Sequence, residues 1–179
     1  MYDKIFEDIS IKARVGYAIN CLENVLMFYK CTISQWDLLL KQLWSFTSLD
    51  YDIDDWLYKI AEYLPNSVLE DQYDTDDIEY ISKSDFYELR QLYRNECNNT
   101  IQEIIMLIFR MGTVDLYSSI EGNGANSLNC IVEINNILCI NSIKLPSPYK
   151  YAKFRFNISG GWGESFDGKD YSLLRKVTD

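Results

Sequence analysis

From Phe86 to Met111, the residues Phe86, Leu89, Tyr93, Cys97, Ile101, Ile104, Ile108 and Met111 recur at steps of three and four. Such steps return a side chain to one face of a 3.6-residue turn. The stretch therefore predicts one long amphipathic helix, capped by Ser84 or Asp85 and ended near Gly112. The rest of the chain agrees with a helical fold. It holds only 3 Pro, none before residue 65, and 8 Gly in 179 residues, too few for a turn-rich sandwich.

Val15, Ile19, Leu22, Leu26 and Tyr29 predict a first helix over 9–30. Ser34-Gln35-Trp36-Asp37 reads as a capping box opening a second, with Trp36, Leu39, Leu40, Leu43 and Thr47 inward. A third runs from Asp52 or Ile53 to Leu64, facing Ile53, Trp56, Leu57, Ile60, Ala61 and Leu64 inward until Pro65 stops it. Residues 66–83 read as an acidic connector with at most one helical turn. A short helix follows over Val114–Glu121, then a turn at Gly122-Asn123-Gly124. Ser127–Ile140 reads as helix, with a strand as the competing reading because β-branched residues are dense there. Lys150–Phe156 looks extended, and Gly160–Gly163 a loop. The expected fold class is mainly α. It is a single-domain helical bundle of about five to seven helices over 1–179, with an acidic segment at 49–79. An irregular or short-strand C-terminal appendix occupies 144–179.

The net charge of -10 is local. Residues 1–48 and 80–179 are each neutral, whereas 49–79 carry 11 acids and one base, Lys59. A field of this sign opposes bulk attraction to nucleic acid or an anionic membrane. The absence of His excludes a Ser-His-Asp triad, a Cys-His pair and His-ligated zinc or haem. The charged start MYDKIFEDIS lacks the apolar core of a secretory signal, and the five Cys show no C-x-x-C spacing. Reduced thiols in a cytoplasmic protein are the expectation.

Three segments invite a chemical reading. Gly163–Asp170 misses a Walker A loop by one residue, but Asp170 stands where a hydroxyl should hold Mg²⁺. Asp50–Asp54 mimics half a calcium loop, but Asp55 replaces the turn glycine and Ala61 the bidentate Glu. The Lys150–Phe156 run reads as an amphipathic edge strand in preference to a base-stacking strip. No catalytic residue, metal site or cofactor is expected. Acids interleaved with Tyr51, Trp56, Tyr58, Tyr63, Tyr73 and Tyr80 suit a Lys/Arg-rich protein surface instead.

The acid-aromatic stretch 50–80 and the late segment Gly161-Trp162-Gly163-Glu164-Ser165-Phe166-Asp167 resemble the immunity proteins of bacterial polymorphic toxin and contact-dependent growth inhibition systems. The late segment is similar to a Gly-Trp-Gly-x-x-Phe element of helical immunity-like proteins. The resemblance implies no enzyme. It implies stoichiometric binding of a cognate toxin domain, a basic RNase or DNase whose active site is occluded. It implies no direct contact with nucleic acid or membrane. The partner-binding residues expected are Asp50, Asp52, Asp54, Asp55, Tyr58, Glu70, Asp71, Tyr73, Asp74, Asp76, Asp77, Glu79 and Trp162. An acidic adaptor or regulatory module, or a carboxylate-based divalent-metal enzyme, are the alternative classes.

Overall fold

The computed structural model describes residues 3–49, 53–70, 72–74 and 76–174. Among them are seven α-helices of six residues or more and one four-residue turn, α1 (Ile5–Asp8). The helices are α2 (Ile11–Phe28), α3 (Ile33–Ser45), α4 (Ile53–Ala61), α5 (Pro65–Glu70), α6 (Lys83–Glu96), α7 (Asn99–Thr113) and α8 (Ala125–Ile140). The fold is mainly helical.

Helix α2 is the axis. Ser10 caps it, its Oγ accepting the Ala13 N–H at 3.3 Å, and every residue from Ile11 to Glu23 is buried. A helix buried on all sides is wrapped by neighbours, here α3, α7 and α8. Two of its polar side chains are bonded across the interior. Tyr17 donates to Asn135 Oδ1 at 2.9 Å, and Arg14 Nε donates to the Phe6 carbonyl at 2.9 Å.

Several expectations change. The 86–111 stripe spans two helices, because the Asn98 side chain accepts the Ile101 N–H at 3.0 Å and starts α7 afresh. The stripe still faces inward on both sides of the break, apart from half-buried Cys97. The helix continues through Gly112, which is buried beside Trp56 and Phe46, to Thr113. Ser34 does not cap α3, since Thr32 precedes the first helical residue. Pro65 opens α5 instead of merely ending α4, a place where its missing N–H costs nothing. Residues 114–121 form turns and coil with no helix, whereas the turn at 122–124 is present. The strand alternative for 127–140 gives way to α8.

The expected edge strand at 150–156 is also absent. Pro148–Tyr151 is a 3₁₀ turn, and a single antiparallel bridge joins Arg155 to Ile9. As far as Leu174 the C-terminal segment is part of the core. Tyr151 and Phe154 are buried, Phe166 stacks on Phe154 with centroids 4.2 Å apart, and Tyr171 stacks on Tyr151 at 5.2 Å.

A candidate acid and tyrosine binding face

Helix α4 turns Trp56 and Ile60 into the core and leaves Asp54, Asp55 and Tyr58 outside. Asp54 and Asp55 in the first turn also complement the positive end of the helix. The chain then leaves α4, forms α5 and returns. Glu62 holds the return: its carboxylate accepts the backbone N–H groups of Glu79 (2.8 Å), Tyr80 (2.7 Å) and Ile81 (2.8 Å). Charge-assisted bonds of this kind are among the stronger ones available to a partly exposed side chain.

This closure brings Glu79 and Tyr80 into the field of Asp55, Glu62 and Tyr58. The Tyr80 hydroxyl is raised above its ordinary pKa, chiefly by the Glu79 charge and also by Asp55 and Glu62. Tyr117 joins from the turns after α7. Its hydroxyl stands beside Asp54 and Tyr58, and the Asp54 carboxylate is the main cause pushing its pKa up to about 12. A carboxylate that accepts a phenol O–H stabilises the neutral phenol. Tyr58, Tyr80 and Tyr117 are exposed by 56%, 37% and 74%, so three rings stand open beside four carboxylates. Such a surface can take Lys or Arg side chains through ion pairing, hydrogen bonds to the hydroxyls and cation–π contact.

The expected partner-binding residues divide. Asp54, Asp55, Tyr58 and Glu79 lie on this face. Glu70, Asp74, Asp76 and Asp77 are exposed along α5 and the connector, where Asp74 Oδ1 accepts the Asp76 N–H at 3.0 Å. Tyr73 is half-buried, its ring 5.4 Å from that of Phe86. Asp50, Asp52 and Asp71 lie outside the described residues. Trp162 is half-buried against Phe46, and its carbonyl accepts the Lys12 N–H at 3.2 Å. Glu62 and Tyr117 were not expected. Tyr117 lies outside the acidic run, and the role of Glu62 depends on a loop closure that composition does not show.

Among the described residues the other chemical readings find no support in the geometry. Gly163–Asp170 ends in a three-residue 3₁₀ turn, Gly168–Asp170, and not in a phosphate-binding helix, and Phe166 exchanges backbone and side-chain bonds with Thr47. Among the described residues no three or more Cys, Asp or Glu side chains are grouped to hold a metal ion. A cavity of about 880 Å³ lies away from the acid face, between α3 and residues 165–174. Its floor is Glu23, a buried carboxylate already saturated by Asn20, Trp44, Ser172 and the Leu173 amide. No described helix is long and apolar enough to cross a membrane.

Comparison of the chain with protein-family models, curated proteins and solved structures finds no match.

Proposed function

We propose that this chain is an immunity protein, a cytoplasmic non-enzyme that binds and neutralises a cognate bacterial toxin domain. The observation that carries the reading is the convergence of Asp54, Asp55, Glu62 and Glu79 with the exposed rings of Tyr58, Tyr80 and Tyr117. A nuclease toxin needs a cationic cleft for its phosphate substrate, and a rigid acidic face can fill that cleft and exclude nucleic acid. Opposite fields also speed encounter, which favours capture before turnover. The tyrosines supply apolar contact area with little side-chain entropy to lose.

The test is a titration against the toxin domain encoded beside this chain, read as inhibition of its nuclease activity and as association rate against salt. Asp54→Asn, Asp55→Asn and Glu79→Gln combined should slow association about tenfold at low salt and flatten its salt dependence. A toxin that stays active at excess of this protein would sink the reading. A tight complex with a basic protein that is not a toxin would favour the adaptor class instead.

A further inference from the structure

We propose that Cys31 and Cys97 form a redox-responsive clamp, closing to an intramolecular disulfide between the turn after α2 and the break between α6 and α7. This inference is independent of the proposed toxin binding.

Each cysteine sits at a helix end whose backbone is fixed. Lys30 takes a left-handed conformation (φ 58°), turning the chain so that the Cys31 N–H bonds to the Leu26 carbonyl at 3.0 Å. The Cys97 N–H bonds to the Tyr93 carbonyl at 3.2 Å. Glu96 ties the two ends together. Its Oε2 accepts the Thr32 N–H and the Trp36 indole N–H, each at 3.1 Å. The residues next to the two cysteines are therefore bonded directly to each other. Both thiols are half-buried and line one cavity of about 490 Å³, whose other titratable walls are Tyr29, Lys30, Arg94 and Glu96.

The surroundings set the chemical character of the pair. Burial, and then the Glu96 charge, push the Cys31 thiol up to about 11. Burial, and then the neighbouring Cys31, push Cys97 up to about 12. Strongly oxidising dithiols owe their potential to a stabilised thiolate in the reduced form. Neither thiol has that stabilisation here, so the disulfide, once made, resists reduction. The same shift makes closure slow at neutral pH, because the attacking species is the thiolate.

The oxidant is a low-molecular-weight disulfide. The Cys31 thiolate, the less suppressed of the two, attacks one of its sulfurs and expels one small thiolate. Cys97 loses its proton to solvent and attacks the Cys31 sulfur of the mixed disulfide, expelling the second. The protein loses two hydrogens and the small disulfide becomes two thiols. The closed loop encloses α3 to α6, so the clamp constrains the unfolded chain across the part that carries the acid face.

The full chain should be incubated with oxidised glutathione at pH 7, 8 and 9, quenched by alkylation and mapped by mass spectrometry without reduction. Expected are a Cys31–Cys97 linked peptide and a closure rate rising about tenfold per pH unit. The melting temperature should rise by about 5–10 °C and fall back on reduction. Cys31→Ser and Cys97→Ser should each abolish the linked peptide. Persistent mixed disulfides on Cys31 or Cys97 without closure would overturn the proposal. So would oxidation in the wild-type chain that joins Cys139 to another molecule and leaves this pair reduced.

Discussion

The Glu62 carboxylate accepts the Tyr80 backbone N–H at 2.7 Å, and through this bond the end of the acidic connector is fastened to the end of α4. The same carboxylate takes the flanking amides of Glu79 and Ile81, so one side chain satisfies three consecutive donors. The acid and tyrosine face is thus a tertiary construction, and Glu62 is its hinge pin.

Glu62→Ala should lower stability by about 2 kcal/mol, since three amides return to water and one charged acceptor is lost. Glu62→Gln keeps one good acceptor and should cost about half as much. Urea unfolding measures both, and hydrogen exchange at Tyr80 and Ile81 localises the effect. Unchanged exchange at those amides in the Ala variant would show that other contacts hold the connector.

The late glycine element has a packing role that can be tested separately. At Gly163 (φ 81°) an added Cβ overlaps the Ser10 side chain, the cap of α2, and at Gly168 it overlaps the Trp44 ring. Gly160 also has positive φ (63°), but nothing lies near its Cβ position. Gly163→Ala combines strain and overlap and should cost about 3 kcal/mol or more. Gly168→Ala should cost about 2 kcal/mol by overlap alone, and Gly160→Ala about 1 kcal/mol by backbone strain alone. Thermal unfolding should reproduce that order; equal effects at 160 and 163 would remove the packing explanation.

How much of this was legible in the sequence depended on range. Step-of-three-and-four spacing placed the inward faces of α2, α3, α6 and α7, apart from exposed Tyr29 at the end of the first stripe, because periodicity is a local property. The break at Cys97 was hidden by its own regularity: Asn98 restarts the helix while preserving the inward face. The Ser34 box failed because its pattern lies inside α3, one residue beyond a start set by Thr32. The acidic residues of the face could be read from charge density. Tyr117 and Glu62 could not, because both act through contacts made only when distant segments meet. The contact of Trp162 with Phe46 was hidden for the same reason, since its flanking glycines say only that the chain turns there.

Stability should fall in alkali. The Tyr93 hydroxyl donates to the Tyr63 carbonyl at 2.5 Å and that of Tyr151 to Asn20 Oδ1 at 2.8 Å. Burial raises both phenols well above their ordinary range, with the Glu23 charge a further cause at Tyr151. With the folded pKa above the unfolded value of about 10, the native state holds protons that the unfolded chain releases. Their contribution is whole below about pH 10 and is lost as pH rises from there, by about 1.4 kcal/mol per pH unit per group. Urea unfolding between pH 8 and 11 should show this decline, and Tyr93→Phe should reduce the slope by one proton. An identical slope in that variant would mean that Tyr93 ionises freely in the fold.

Glu23 offers a sharper test of the core. Its Oε1 accepts the Trp44 indole N–H at 3.0 Å and the Ser172 hydroxyl at 2.6 Å. Its Oε2 accepts the Asn20 amide at 2.9 Å and the Leu173 backbone N–H at 2.7 Å. All four partners are donors, so either orientation of a Gln amide points its NH₂ at two of them. Glu23→Gln, though nearly isosteric, should therefore cost about 3 kcal/mol and lower the melting temperature by about 6–12 °C. Two of the four donors belong to the C-terminal segment, so exchange of the Leu173 amide should accelerate more than exchange within α2. A variant as stable as the parent would require one of these donors to have turned to another acceptor, and the Leu173 amide would then remain protected.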